Sequence, residues 1–404
     1  MTIDTEKGIG LEARLQRLFL AQGAYAERSL WPSAAPDRRK LATNIDVLVS
    51  EYVSGFHLTR RHAECKGGKV PLLDRILWLH GVRALLGADS SYLICPEADI
   101  DITTFARTLN IQILTLKQLE IWETSIGIDQ RLWPCRSEFQ NYDLARDRWR
   151  QLIRARRVDE KWFLPREALA FIEVESWLKF GYRYLNIMLR LFQSISTGYN
   201  GIIPDRELNL CYRYVFSALL VRFAQYLLSI CFDVSGIPPS DTKEYLFKRL
   251  TFGDQDPSYA SSLIQSTIEW VNRTLNQRGI PLPAEIEVGR LYEPPPYAEE
   301  FVQLILNLFQ KSNEARYIPI AMEAIQFGDP STESHFPRLK AAMTAGESLS
   351  AFVKGFVIRT FSVPKKLSDP IKTDLISFYQ GSKIRREKKD YKGNNSQLPL
   401  KIKS

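Results

Sequence analysis

Two acidic residues and one lysine within residues 43–66 have the types and spacing for metal-dependent chemistry. Asp46 lies in a run in which its carboxylate alternates with apolar side chains, as in a strand with one apolar face. Glu64 and Lys66 end a second such run, and a Ser-Gly turn separates the two. If the runs pair as a hairpin, Asp46 and Glu64 meet on one face with Lys66 nearby. Two carboxylates beside an ammonium group predict a divalent-metal site that activates water.

The acid-x-Lys spacing alone is weak evidence for a metal-dependent site, because it recurs elsewhere in the chain. The other occurrences are Asp159–Lys161, Asp241–Lys243, Glu387–Lys389 and Asp390–Lys392. They fall at or before predicted helices or in the C-terminal tail, without an acidic strand upstream. Only Glu64 and Lys66 end a strand that follows the strand carrying Asp46.

The segments around this hairpin predict a compact α/β unit over residues 8–122. The expected order is a helix (11–22), a strand (25–31), a polar connection (32–39), the hairpin, a helix (70–86), a strand (91–95), a helix (102–109) and a strand (111–116). The final strand, helix and strand predict a βαβ crossover. We therefore expect a mixed sheet flanked by helices to position the three residues.

Residues 8–122 resemble the PD-(D/E)xK nuclease superfamily, and in element order they are most similar to Mrr-type restriction endonucleases and archaeal Holliday-junction resolvases. Asp46 matches the strand acid, Glu64 and Lys66 match the acid-x-Lys motif, and Glu12 matches an acidic position in the first helix. Ile45 replaces the proline of the superfamily's name, as in many Mrr-type members. Those members often have glutamine where this chain has Glu64.

The resemblance implies Mg²⁺-dependent cleavage of phosphodiester bonds, and Mn²⁺ can substitute. Asp46, Glu64 and the backbone carbonyl of Cys65 would hold the metal through oxygen ligands. Lys66 would orient the attacking water or stabilise charge on the phosphate, and Glu12 would assist as a further catalytic carboxylate.

Three further residues close to the motif are candidates for binding the nucleic-acid backbone. Arg60 and Lys69 carry positive charge that could contact phosphate. His62 shares the strand face of Glu64 and could do the same. The competing interpretation of His62 is a partly exposed histidine with a structural role.

Beyond the α/β unit, the sequence predicts an almost entirely helical region. We expect a nuclease-like domain at residues 1–125, a linker at 126–140, an all-helical domain at 141–382 and a basic, disordered tail at 383–404. The predicted helices span residues 143–156, 167–196, 205–232, 242–250, 258–277, 297–311, 337–361 and 369–379. The helical domain is assigned to recognition, partner binding or oligomerisation.

Net charge, cysteine content and the apolar runs limit the cellular compartment and the classes of partner that the sequence supports. The net charge is +8, but residues 383–404 hold eight Lys or Arg against two acidic residues, so the remaining chain is nearly balanced. The five scattered cysteines indicate reduced thiols in a cytoplasmic protein. The apolar run 215–232 contains Arg222 and Gln225, which favours a buried helix over a membrane span. We expect no membrane partner.

The sequence lacks the G-x-x-x-x-G-K-[ST], G-x-G-x-x-G, H-E-x-x-H and G-x-S-x-G motifs, which disfavours ATPases, dinucleotide enzymes, zinc proteases and serine hydrolases. The leading interpretation is a Mg²⁺-dependent endonuclease that acts on nucleic acid, DNA more than RNA. We expect it to act as a homodimer, as a larger assembly or together with a separate partner protein. The restriction-like resemblance suggests defence against foreign DNA. The alternative is a catalytically inactive nucleic-acid-binding or assembly protein on a nuclease-like scaffold.

Overall fold

A five-stranded mixed sheet forms the N-terminal part of the computed structural model. The structure describes residues 3–30, 33–35, 38–41, 43–53, 56–128, 181–200, 206–279, 293–327 and 336–371. The sheet contains β1 (Tyr25–Leu30), β4 (Ile45–Tyr52), β5 (Leu58–Cys65), β6 (Ser90–Cys95) and β7 (Ile111–Thr115), in the order β1-β4-β5-β6-β7. Strand β4 pairs antiparallel with both β1 and β5, whereas β6 pairs parallel with both β5 and β7.

Helices cover the two faces of this sheet, and the sequence predicts the first three of them but not the fourth. They are α1 (Ile3–Ala21), α2 (Leu72–Leu86), α3 (Ile100–Thr108) and α4 (Leu116–Ser125). Helix α2 ends at Gly87, whose φ of 59° lies in the left-handed region that glycine adopts most easily. Asp99 caps α3 by accepting a hydrogen bond from the backbone N–H of Ile102. The crossovers through α2 and α3 explain why β5, β6 and β7 are parallel.

The described C-terminal region is helical. Its helices are α5 (Tyr182–Asn200), α6 (Arg206–Val234), α7 (Pro239–Phe252), α8 (Pro257–Gln277), α9 (Ala298–Gln310), α10 (Ser312–Ala315), α11 (Ile318–Phe327), α12 (Pro337–Thr360) and α13 (Lys365–Ser368). Helix α6 is the central element, because it packs against α5, α9, α11 and α12. These helices confirm the helical character that was predicted for this region.

The larger of two clusters of buried apolar side chains runs through the sheet and the C-terminal helices, and the smaller one lies between the sheet, α2 and α3. A buried ion pair crosses from β1 to α6, where Nη1 of Arg222 lies 2.6 Å from Oε2 of Glu27. The hydroxyl of Tyr52 in β4 donates to the backbone carbonyl of Gln225, also in α6. The sheet and the helical region therefore share a core across the predicted boundary at residues 126–140.

Helix α6 is apolar and long enough to span a bilayer by length and composition alone. Of its most apolar stretch, 83% is buried inside the protein. Arg222 is paired within this buried stretch. The prediction of a buried core helix agrees with this packing.

One local prediction was wrong, and two of the described helices longer than one turn, α4 and α11, were not predicted. Residues expected to form a polar connection after β1 instead contain β2 (Ser33–Ala35) and β3 (Arg38–Leu41), which pair as a small antiparallel sheet. Helix α11 was not predicted, although eight of its ten residues are buried. Its nearly uniform apolar composition lacks the one-sided pattern by which surface helices are recognised. The predicted helix 143–156, residues 167–180 and 372–379 of two further predicted helices, most of the predicted linker and the basic tail lie outside the described residues.

Candidate active site at the end of strand β5

The antiparallel pairing of β4 and β5 brings Asp46 and Glu64 together. Val47 lies opposite Ala63 in this register, so the next positions outward are Asp46 and Glu64. The backbone N–H of Cys65 donates a 2.7 Å hydrogen bond to Oδ2 of Asp46. The two carboxylates thus share the end of the hairpin, as its alternation predicts.

Lys66 extends from the end of β5 back to both carboxylates. Its Nζ lies 2.5 Å from Oε1 of Glu64 and 3.7 Å from Oδ2 of Asp46. Its backbone N–H donates to the carbonyl of Ile94 in β6 at 2.9 Å, which fixes the chain where the side chain leaves the sheet. The predicted cluster of two carboxylates and one ammonium group is therefore present.

The hydrogen bonds around Cys65 also orient its carbonyl. The N–H of Lys66 is directed towards β6, whereas the N–H of Cys65 is directed towards β4 and Asp46. The N–H and C=O of one strand residue point to the same side, so the Cys65 carbonyl is directed towards β4 as well. Burial raises the pKa of the Cys65 thiol well above its usual value, so the neutral side chain is a poor metal ligand. The backbone oxygen is the group suited to that role.

Arg75 is a second cation at this cluster that the sequence analysis missed. Its Nη1 lies 3.6 Å from Oε1 of Glu64, and its guanidinium lies over the ring of Trp78 at 5.5 Å. Arg75 is in the first turn of α2, three residues before Trp78, so the two side chains lie on one side of the helix. The signal available in the sequence was a basic residue in the helix that follows the acid-x-Lys motif.

Glu12 reaches the same region from α1. Its Oε2 accepts a 2.9 Å hydrogen bond from the hydroxyl of Ser29, at the end of β1. Burial and the nearby carboxylate of Asp46 raise the pKa of Glu12 from 4.5 to about 7, although Ser29 and Lys66 act in the opposite direction. Its predicted proximity to Asp46 is therefore supported by the electrostatic coupling between the two carboxyl groups.

The carboxylates are buried, and the cations lie nearer to solvent. Glu64 is 2% exposed and Asp46 is 6% exposed, whereas the side chain of Lys66 is 25% exposed and that of Arg75 is 38% exposed. Burial and the charge of Asp46 raise the pKa of Glu64, and Lys66 and Arg75 lower it. The two cations thus separate a concentrated negative charge from the solvent.

The donor set fits a small, hard cation. Asp46, Glu64 and the Cys65 carbonyl supply oxygen atoms. Burial, and then repulsion from Asp46, raises the pKa values of Glu12 and Glu64, and a divalent ion would relieve that repulsion. Within the residues that the structure describes, no three His, Cys, Asp or Glu side chains are arranged as a preformed metal cage. Magnesium is commonly bound by one or two carboxylates together with water and substrate phosphate, so it does not need such a cage.

The predicted nucleic-acid-binding residues have three different environments. Lys69 is 92% exposed and lies 3.8 Å from Glu97, another exposed side chain, so it can reach a ligand in solvent. Arg60 lies four residues from Glu64, about 13 Å along the strand. It donates instead to the carbonyl of Leu86 at the end of α2. The prediction that Arg60 borders the carboxylates was therefore wrong.

His62 is fully buried, so the prediction of partial exposure was also wrong. Its Nδ1 lies 3.4 Å from the Ser91 hydroxyl, and its ring packs edge-on near Trp78. Burial lowers its pKa from 6.5 to about 4, which keeps the ring neutral near pH 7. It does share the strand face of Glu64, but α2 covers that face. In this arrangement His62 cannot contact a phosphate in solvent.

Comparison with protein-family models, curated proteins and solved structures gave no match for this chain.

Proposed function

We propose that the protein is a Mg²⁺-dependent endonuclease that hydrolyses phosphodiester bonds, with DNA as the favoured substrate. The observation that supports this proposal most directly is the convergence of Asp46, Glu64 and Lys66 at the end of one hairpin. Buried carboxylates beside a partly exposed ammonium group suit a reaction in which negative charge develops on phosphate oxygens. The resemblance to PD-(D/E)xK nucleases adds support from the sequence.

Asp46, Glu64 and the carbonyl of Cys65 are the groups that would hold Mg²⁺, and Glu12 would assist from α1. The bound ion would polarise the scissile phosphate and lower the pKa of a coordinated water. These carboxylates are held in place by the sheet and by the Cys65 N–H. Pre-organised ligands of this kind need little rearrangement to accept a cation.

Lys66 and Arg75 have complementary roles in this proposal. Both pair with Glu64, and a cation at the carboxylates would release them to bind phosphate. Lys66, the closer to both carboxylates, would stabilise charge on the reacting phosphate or orient the attacking water. Arg75 can form two parallel hydrogen bonds to a phosphate, and exposed Lys69 would add non-specific attraction to the nucleic-acid backbone.

A cytoplasmic defence role against foreign DNA is proposed from the restriction-like resemblance. Reduced thiols fit that setting, and no disulfide bond joins the four cysteines that the structure describes. Cutting both strands of a duplex requires two centres, so we propose that the enzyme acts as a homodimer or in a larger assembly. A separate partner protein could bind through the helical region.

The test is a cleavage panel with purified protein and Mg²⁺ or Mn²⁺. Single-stranded, duplex, branched and methylated DNA, together with RNA, should be incubated with the wild-type protein and with Asp46→Ala and Lys66→Ala. We expect cutting of at least one DNA substrate, and loss of that cutting in both variants. Cutting that survives both substitutions would overturn the proposal.

One observation favours the alternative of a catalytically inactive binding or assembly protein. Lys66 and Arg75 already pair with the carboxylates, so the cluster is balanced without a metal. Isothermal titration of Mn²⁺ into the wild-type protein and Asp46→Asn separates the two functions. Binding that depends on Asp46 supports the nuclease, whereas no binding supports the inactive protein.

A further inference from the structure

Helix α8 has exposed and half-buried side chains but no fully buried one among those that the structure describes. Every side chain that is described between residues 258 and 277 is at least partly accessible to solvent. Helices in proteins gain most of their stability from packing, so a 21-residue helix without a fully buried side chain gains less from the described contacts than the core helices do. Glu269 and Arg273 are its only charged residues, whereas a solvated helix is usually rich in charge.

One stripe of α8 contains large side chains that face outward. Tyr259 is 60% exposed, Leu263 is 54% exposed and Trp270 is 65% exposed. Together with Ser266 and Arg273 they recur at spacings of three and four, so they follow one side of the helix. Trp, Tyr and Arg are the residue types that contribute most often to binding energy at protein interfaces.

We propose that this stripe is a self-association surface, on which α8 of a second copy of the chain packs antiparallel. A twofold axis near Ser266 places Arg273 of one copy opposite Tyr259 of the other, where a cation–π contact can form. The same axis places Leu263 beside Trp270 of the partner copy. The small Ser266 side chain lies at the crossing point and allows the helices to approach closely.

The distribution of charge favours the antiparallel arrangement of two copies. A parallel pair would place the two Arg273 guanidinium groups side by side. In the antiparallel pair they lie at opposite ends of the contact, separated by about 21 Å along the helix axis. A helix pair buries less surface than a standard interface, so the dimer is reversible and depends on protein concentration. This surface does not depend on the proposed nuclease activity.

Sedimentation equilibrium of the full chain over a range of concentrations tests the proposal. We expect the mass to rise from 46.5 kDa towards twice that value. Leu263→Glu should raise the dissociation constant at least about tenfold. The matched control is Leu77→Glu, since Leu77 is 53% exposed on α2, and this variant should associate like the wild-type protein.

A double exchange, in which Lys and Glu replace the cation–π pair, tests whether the partner is a second copy in the antiparallel orientation. Tyr259→Lys and Arg273→Glu should each weaken association, and the double variant should restore it because Lys and Glu then meet across the twofold axis. The two positions are too far apart within one chain for this rescue to be intramolecular. Circular dichroism confirms that each variant is folded.

Three results would overturn the proposal. The wild-type chain could stay monomeric at every concentration, as expected if residues 129–180, residues 280–292 or another protein cover the stripe. Leu77→Glu could disrupt association while Leu263→Glu does not. The double exchange could fail to restore association after both single exchanges weaken it. A monomeric wild-type chain would also contradict the proposed homodimer, but none of these results decides whether the protein cuts nucleic acid, so the dimer interface and the nuclease activity can fail separately.

Discussion

The backbone N–H of Cys65 donates a 2.7 Å hydrogen bond to Oδ2 of Asp46, which ties the strand carrying one carboxylate to the backbone between Glu64 and Lys66. This bond explains why the end of the hairpin stays closed around two carboxylates that repel each other. An asparagine at position 46 can still accept the bond through its side-chain oxygen. Asp46→Asn therefore removes the charge at the site while it preserves the local structure.

Replacement of Lys66 should separate metal binding from cleavage. Its ammonium group competes with a cation for Glu64 but would stabilise charge on the phosphate during the reaction. We expect Lys66→Met to keep or increase Mn²⁺ affinity in a calorimetric titration, while the cleavage rate falls on the order of 100-fold. Loss of metal binding together with cleavage would show that Lys66 has mainly a structural role.

Glu12 should make the metal-free protein less stable as pH rises. The pKa of its carboxyl is about 7 in the folded protein and 4.5 as the reference value, so between these values the folded state binds more protons than the unfolded state. Stability therefore falls as pH rises from about 4.5 through about 7. Glu12→Gln removes this dependence and should stabilise the protein above pH 7 by up to about 3 kcal/mol.

Urea unfolding of wild-type protein and Glu12→Gln in EDTA, at pH 5 and pH 8, measures this effect. The free energies of unfolding of the two proteins should differ much more at pH 8 than at pH 5. An equal difference in the free energy of unfolding at both pH values would contradict the raised pKa of Glu12.

His62 should destabilise the protein in acid. Its pKa is about 4 when folded and 6.5 as the reference value, so the unfolded state binds more protons between these values. Its contribution to stability is complete above about pH 6.5 and is lost as pH falls towards 4. An NMR titration of the imidazole should show a neutral ring at pH 5.5, and a ring that titrates near pH 6.5 would contradict its burial.

The ion pair between Glu27 and Arg222 should link the sheet energetically to α6. Arg222→Met leaves a buried carboxylate without this partner, which typically costs about 3–5 kcal/mol. The double variant Glu27→Leu/Arg222→Met should recover most of that loss. Thermal unfolding of Glu27→Leu, Arg222→Met and the double variant, each against the wild-type protein, provides the comparison. Independent, additive effects of the two substitutions would indicate that the pair is not coupled.

The alternation of residues was sufficient to predict the hairpin, because the two-residue period of a strand decides which side chains share a face. It predicted that Asp46, Glu64 and Lys66 lie together, and the structure agrees. It could not predict what covers that face, which is why His62 was expected near solvent although α2 and Trp78 bury it. Exposure along a strand depends on the tertiary packing of helices that are distant in sequence.

Arg75 could not be assigned to the carboxylate cluster from the sequence, because its position also depends on tertiary packing. Its contact with Glu64 depends on the rotation of α2 where it packs against the sheet, and a helix that is apolar on nearly every side does not reveal that rotation. The missed helix α11 and the small β2-β3 sheet show the same limit. The sequence patterns defined the order of the main elements, whereas packing decided which additional side chains reach the site.

The most direct test of the central claim is the initial rate of Mg²⁺-dependent cleavage of a labelled DNA duplex by three proteins. The wild-type protein should cut, and Asp46→Asn should cut at least about 100-fold more slowly. Asp241→Asn, which alters another acid-x-Lys match in the chain, should cut at the wild-type rate. Equal rates for the wild-type protein and Asp46→Asn, or no cutting of any nucleic acid by the wild-type protein, would contradict the proposed nuclease.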